Sequence, residues 1–399
     1  MLRVLTLSTL FPDADRPSFG VFVERQTLAL AGREGVEVEV AAPVGLPPWP
    51  LTLHRHYRGK VRLPSKELRS GLTVHRPRFR TWPLLGGAGA ARALAAAVLP
   101  LARTLRCDVV DAEFFWPDGV AAMHLAEALG VPFSVKARGS DVHFWGRRPA
   151  VAAQMLGAAR AAGGLLAVSG ALRADMIAMG MPEDKIRVHY TGVDLERFRP
   201  LDRDVAKRRL GVEGPLIVAP GNLVPLKGHR LVIEALADLP EATLLIAGEG
   251  PERRALETRI EALGLEARAR LLGSVAPAAM PELLSAADLM ILPSEREGLA
   301  NVWVESIACG TPVLICDVGG AREVLDRPEA GRTVARDSAA IAAAAREMLA
   351  SPADPAAVRR SAERFSWERN AAESHAHLTG LVSSPSPQGM GTTRRVGEE

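Results

Sequence analysis

Short runs of Val, Ile and Leu alternate with helix-like segments along the chain, and the alternation occurs in two successive passes. A strand that is apolar throughout, with no polar residue at every second position, has both faces buried, and a parallel sheet covered by helices is the arrangement that buries both. The first pass predicts strands over residues 3–8, 36–41, 109–112, 133–137 and 165–168, and the second over 216–220, 243–247, 270–273, 289–292 and 313–316. Between them, residues 191–200 carry the glycine and proline of a linker. The pattern reads as an α/β chain of two Rossmann-like domains facing across a cleft, the first over 1–190 and the second over 201–364. Residues 383–399, rich in Ser, Pro, Gly and charge, read as a disordered tail.

Composition narrows the function. At 399 residues, with 48% hydrophobic and 24% charged side chains, the chain suits a soluble protein of two cores. No window supplies the roughly 18 uninterrupted apolar residues of a membrane span, and MLRVLTLSTLF lacks the pattern of a signal peptide, so a cytoplasmic location is expected. Cys107, Cys309 and Cys316 have no metal-ligand spacing and fit a reducing compartment. A formal net charge of +3 without a concentrated basic motif speaks against nucleic acid. The loop after the first strand has no G-x-G-x-x-G, which counts against a nicotinamide dehydrogenase. One stretch departs from the average: His54 to Arg80 holds nine Lys or Arg against Glu67 alone, interleaved with Tyr57 and Phe79 and followed by Trp82.

The most informative segment runs from Leu289 to Cys316: an apolar strand, a polar loop, a short helix stopped by Gly310 and Pro312, and a second apolar strand. Glu297 and Glu305 are separated by seven intervening residues across the loop-to-helix junction, at the carboxyl end of a strand, where open α/β sheets bind ligands. Spacing alone is weak, because Glu241/Glu249 and Glu249/Glu257 share it. Only Glu297/Glu305 bridges a strand–loop–helix junction.

Glu297-Gly-Leu-Ala-Asn-Val-Trp-Val-Glu305, followed by Cys-Gly-Thr-Pro-Val, resembles the E-x7-E signature of retaining nucleotide-sugar glycosyltransferases of the GT-B fold, the family 4-like group. Gly221-Asn-Leu-Val-Pro-Leu-Lys-Gly-His229, Ile246-Ala-Gly-Glu-Gly-Pro251, Thr191-Gly-Val-Asp-Leu-Glu-Arg-Phe198 and Val318-Gly-Gly-Ala-Arg-Glu-Val324 extend the resemblance over nearly the whole chain. Pro17-Ser-Phe-Gly-Val-Phe-Val-Glu-Arg-Gln26 is similar to members that assemble surface polysaccharides. The resemblance also implies that a helix over about 365–381 crosses back to brace the first domain.

A donor diphosphate needs its negative charge met. The sequence offers Lys227 in a glycine-flanked loop, one of only six lysines beside 43 arginines, together with the backbone N–H groups at the helix start around Gly298, Leu299, Ala300, Asn301 and Val302. Members of the family carry a basic residue where this chain has Asn222, so the diphosphate is expected to lean harder on Lys227 and the helix dipole. By the same resemblance Glu305 takes the ribose hydroxyls and Glu297 the donor sugar near the reacting carbon. Gly20 either admits the phosphates close to backbone or is a turn glycine.

The first domain is expected to hold the acceptor. Val135-Lys-Ala-Arg-Gly-Ser-Asp-Val-His143 resembles the family's H-G-x-D segment, with Arg138 in place of His. Arg cannot accept a proton but can bind phosphate or a carboxylated sugar bidentately. Asp141 reads either as a sugar contact or as a helix N-cap. Glu113 stands where relatives often carry His and receives no role, and His143, His189 and His229 are left out of the site. The basic stretch is either a membrane-facing surface resting on anionic lipid at the inner face of the cytoplasmic membrane or a solvated loop region. No D-x-D stands at a strand end, so no metal or other cofactor is demanded. The resemblance thus implies hexosyl-type transfer from a nucleoside-diphosphate sugar to a lipid-linked or oligosaccharide acceptor in envelope or exopolysaccharide assembly. The alternatives are a GT-B nucleotide-sugar epimerase and a catalytically idle nucleotide-sugar binder.

Overall fold

The computed structural model describes residues 1–17, 19–82 and 89–383; the expected tail, from residue 384 onward, lies outside them. The chain forms two compact units, one of Met1–Ala167, Asp175–His189 and the chain from Ala371, the other of Val168–Ala174 and Tyr190–Asn370.

The first unit contains β1 (Leu2–Leu7), β2 (Val36–Ala41), β3 (Val44–Leu46), β4 (Lys66–Arg69), β5 (Leu72–His75), β6 (Arg78–Arg80), β7 (Val109–Ala112), β8 (Phe133–Ala137), β9 (Gly164–Ala167) and β10 (Ile186–Val188). Eight of these form a sheet in the order β10-β9-β8-β7-β1-β2-β5-β4, parallel except for the β4–β5 pair, while β3 and β6 pair apart. Helix Trp367–Ser383 begins in the second unit and, from Ala371, packs on the first, with Leu378 in a core shared with Leu2, Val4, Leu30 and Val109.

The second unit contains β11 (Leu216–Pro220), β12 (Thr243–Ala247), β13 (Ala269–Gly273), β14 (Leu289–Leu292), β15 (Val313–Ile315) and β16 (Gly331–Thr333) in one parallel sheet of order β13-β12-β11-β14-β15-β16. Both faces are covered. Leu216, Val218, Met290 and Leu292 enter one core, and the alternate residues Ile217, Ala219, Leu289 and Ile291 enter the other. That two-residue period on a doubly buried sheet is why the central strands β11 and β14 are apolar at every position. Val168–Ala174 belongs here because Glu323 accepts the Gly170 N–H at 2.9 Å, capping helix Gly170–Ala178, and also accepts the Tyr190 hydroxyl at 2.7 Å.

The strands read from the sequence are present; the missed ones are short or charged, as in Lys66–Arg69 and Arg78–Arg80. These lie inside the basic stretch, which is therefore neither a uniform loop nor a uniform cationic face. It opens with helix Arg55–Arg62 and continues as the edge hairpin β4–β5, where Arg69 pairs with Glu24; beyond it Arg76 is 3% exposed against Glu67, and Arg78, in β6, donates to the Leu63 carbonyl. Charged edge strands of this kind discourage sheet-to-sheet association. Among the described residues, no helix is long and apolar enough to cross a membrane.

Candidate active site

In the second unit, the chain adds β12 and β13 on one side of β11, then returns to add β14, β15 and β16 on the other. The order reverses between β11 and β14, and such a switch point opens a crevice beyond the carboxyl ends of its two strands. Residues 221–228 leave β11 there and residues 293–300 leave β14. Lys227 lies on the first loop and Glu297 on the second, and their side chains meet in an ion pair, 19% and 13% exposed. The sequence places them 70 residues apart; the topology brings them together.

Helix Asn301–Ala308 starts with no side-chain cap; the Trp303 N–H turns back to the Ala300 carbonyl at 3.0 Å, and the N–H groups of Asn301 and Val302 ahead of it are left to a ligand or to water. It buries Trp303, Val304, Ile307 and Ala308 and turns Asn301, Val302 and Glu305 to a half-exposed face. Leu299 is 8% exposed and packs into the core, so around Gly298 and Ala300 the backbone, not the leucine side chain, is offered to a ligand. The Glu297–Gly298 backbone is held from behind by the turn at Gly319. This residue has φ 53°, and a Cβ there would lie 2.2 Å from the Glu297 carbonyl oxygen. Its neighbour Gly320 donates to the Gly298 carbonyl at 2.7 Å. Asn222 is exposed on the β11 loop. Beneath that loop, fully buried His229 has its pKa pushed down to about 4 by burial and then by the charge of Lys227, so it is a neutral neighbour.

In the first unit the order reverses between β1 and β7. Gly20, at the end of the β1 loop, has φ 71°, and a Cβ there would lie 2.3 Å from the Leu10 carbonyl oxygen, so the loop itself requires the glycine. Thr9 ties this loop to the one after β7, its N–H donating to Asp118 at 2.8 Å. Burial raises the Asp118 carboxyl to about 7. Arg138, after β8, donates to Glu113, which also accepts from Gln26; Arg138 and Glu113 side chains are 6% and 1% exposed. Lys136 is fully buried, donates to Gln26 at 2.6 Å and lies 2.9 Å from His189 Nδ1. Burial drives its pKa well below the ordinary value and that of Asp111 well above. Asp141 is fully buried and accepts N–H groups from Phe115 at 2.9 Å, Gly139 at 2.8 Å and Arg138 at 3.0 Å, organising the loops after β7 and β8. Burial raises its pKa while those N–H groups pull the other way.

Residues 202–365 match the model of the family described as glycosyl transferases group 1, and residues 20–197 match that of glycosyltransferase family 4. The chain is 30% identical, over 82% of its length and 84% of the relative's, to the Bacillus subtilis (strain 168) protein TuaC, assigned as a glycosyltransferase of teichuronic acid biosynthesis. This chain belongs to the group 1 glycosyltransferases. The enzyme is also 39% identical to a D-inositol 3-phosphate glycosyltransferase of Geodermatophilus obscurus, over 45% of this chain and 43% of that one. Among solved structures, its fold resembles sucrose-phosphate synthase from Thermosynechococcus elongatus, at TM-score 0.78 and 19% identity, covering 96% of this chain and 99% of that one. It likewise resembles Anabaena Alr3699/HepE in complex with UDP-glucose, at TM-score 0.74 and 21% identity, covering 96% and 100%. The glycosyltransferase therefore has the two Rossmann-like domains of the GT-B fold.

Sequence reasoning left Glu113, Gln26 and Lys136 of this glycosyltransferase without roles. The available signal was paired: Glu113 and Arg138 both stand where the resembled family carries His, and the two side chains form one ion pair.

Proposed function

We propose that this glycosyltransferase moves a hexosyl group, with retention of configuration, from a nucleoside-diphosphate sugar to a lipid-linked or oligosaccharide acceptor in envelope or exopolysaccharide assembly. The observation that carries the reading is the meeting of Lys227 and Glu297 beside an uncapped helix start at the β11/β14 switch point. That combination suits a diphosphate joined to a sugar: an ammonium and backbone N–H groups for the anion, a carboxylate for hydroxyls. The two side chains satisfy each other. An arriving diphosphate takes Lys227 from Glu297, and the released carboxylate then accepts hydrogen bonds from the sugar hydroxyls. Glu305, one helical turn into helix Asn301–Ala308, takes the ribose, and Asn222 borders the donor.

The bond from the anomeric carbon to the diphosphate oxygen breaks as the acceptor oxygen bonds the same carbon on the same face. The acceptor's proton passes to the departing diphosphate. Charge gathers on the leaving oxygen, where Lys227 and the helix start stabilise it, usually the largest catalytic contribution in such chemistry. No resident metal is invoked. In the first unit, Arg138 and Asp141 set the loop that receives the acceptor, Asp141 through backbone rather than by direct exposure.

A seat on anionic membrane is supported by Trp49, Leu51 and Leu53, exposed by 78%, 49% and 60%, immediately before the basic helix Arg55–Arg62. Together they offer apolar anchors and positive charge to one surface.

The test is a mass-spectrometric transfer panel of uridine and guanosine diphosphate sugars with a generic lipid-diphosphate acceptor, the product anomer being assigned by NMR. A retained anomer with one donor, lost in Glu297→Ala, is expected. Free epimerised nucleotide sugar, an inverted anomer, or undiminished turnover in Glu297→Ala overturns the reading.

A further inference from the structure

The meeting of Lys227 and Glu297 requires the loops after β11 and β14 to be held at one spacing. Two backbone contacts contribute: the Glu295 N–H donates to the Leu226 carbonyl at 2.8 Å, and a Cβ on Gly228 would stand 2.7 Å from the Pro293 carbonyl oxygen, so the lysine loop rests directly on the other. A side chain from a third segment spans both. Arg336, exposed between β16 and helix Ser338–Ala350, donates Nε to the Pro293 carbonyl at 3.0 Å and Nη2 to the Pro225 carbonyl at 2.8 Å. Neither proline has an N–H with which to join a backbone ladder between the loops, so at these positions only carbonyls are available to a cross-link. A planar guanidinium with donors fixed in a fork satisfies two carbonyls at a set separation; an ammonium on a flexible stem does not. Among the described residues Arg336 makes no ion pair, so these carbonyls, not an acid, fix its position.

We propose that Arg336 is a positioning residue for the donor diphosphate. It acts through Lys227, two residues from Pro225, and through Glu297, four residues from Pro293, and touches no reacting atom. The inference rests on the donor-site reading above and adds to it the side chain that sets the spacing of the two loops. Without the bridge, the backbone contacts remain and the unit keeps its fold, but the loops sample separations at which Lys227 no longer meets the diphosphate squarely.

The test compares wild type with Arg336→Ala and Arg336→Lys in three measurements: hydrogen–deuterium exchange without ligand, donor and acceptor kinetics, and the calorimetric Kd for uridine and guanosine diphosphates. In Arg336→Ala, exchange should quicken in peptides 222–229 and 293–300 and nowhere else, with the melting temperature essentially unchanged. Donor KM and the nucleoside-diphosphate Kd should rise about five- to twentyfold, kcat should fall by less than about threefold, and acceptor KM should stay constant, the pattern of weakened donor binding rather than lost chemistry. Arg336→Lys keeps the charge but not the fork and should resemble the alanine variant in KM. A lysine variant indistinguishable from wild type would show that charge alone matters and overturn the bridge. Unchanged exchange and unchanged donor KM in Arg336→Ala would do the same. Should the alanine variant not fold, Arg336→Gln carries the same comparison. A wild type that binds neither diphosphate overturns the donor reading and this inference with it, and is told apart from failure of the bridge alone because that leaves wild-type binding intact.

Discussion

Lys227 and Glu297 neutralise each other, so on the proposed donor reading a nucleoside diphosphate without its sugar separates them and leaves Glu297 with nothing to bind. Replacing Glu297 by Gln keeps the shape and removes the competing charge. Nucleoside diphosphate should then bind several-fold more tightly, while sugar transfer falls by about 10²-fold or more because the donor hydroxyls lose a charged acceptor; titration calorimetry and initial rates check the two directions separately. Weaker diphosphate binding in Glu297→Gln would mean that the pair does not restrain Lys227. Asp118 carries a prediction of another kind. Its carboxyl is protonated below about 7 in the folded chain, against 3.8 for an ordinary carboxyl. The unfolded chain therefore releases this proton first, and the stabilising contribution, complete at low pH, is lost as pH rises towards 7. Asp118→Asn stays neutral throughout. Its advantage over wild type in chemical denaturation should grow by about 1–3 kcal/mol between roughly pH 5 and pH 8, and an advantage that shrinks over this range would contradict the assignment. Lys227 and Glu297 were legible because each sits in a motif of distinctive residue types. The buried states of Asp118, Lys136 and Asp111 were not, since ionisable residues in a sequence do not announce which of them the sheet will enclose.

The central strands of both sheets could be read because burial on two faces leaves a run of apolar residues that no surface element shares, as in Leu289–Leu292, whereas β2 was legible from its Val36, Val38 and Val40 alternating with Glu37 and Glu39. The edge elements β4 and β6 could not: in Lys66–Arg69 and Arg78–Arg80 one face meets solvent, and the residues that discourage further pairing erase the apolar signal. The same limit applies to the loops of the site. Val318-Gly-Gly-Ala could be quoted as a family segment, but its task appears only in the fold, where Gly319 presses against the carbonyl of Glu297. A methyl group there meets both a backbone atom at 2.2 Å and an unfavourable φ of 53°, neither of which a flexible side chain can relieve. Gly319→Ala should therefore cost more than about 1 kcal/mol of stability and also raise donor KM, because relief of the clash displaces the Glu297–Gly298 backbone. Thermal denaturation and donor kinetics on the same preparation check this, and an intact donor KM would separate the turn from the site.

Each unit has cores of its own: the clusters around Val40 and Leu378 belong to the first, and those on the two faces of the β11–β16 sheet to the second. Lys227, Glu297 and the uncapped helix all stand on the second. A ligand stabilises only the cooperative structure that binds it, by about 2.7 kcal/mol when present at a hundred times its Kd. Differential scanning calorimetry with nucleoside diphosphate should accordingly resolve two transitions and raise one of them, by about 5–10 °C for a unit of this size, leaving the other in place. Lys227→Ala should abolish the shift, and limited proteolysis just below the raised transition should leave fragments of the second unit intact while the first is cleaved. A single endotherm that moves as a whole would mean that the two sets of buried clusters melt as one, and that nucleotide binding on the β11/β14 loops is energetically coupled to the loops that carry Arg138 and Asp141.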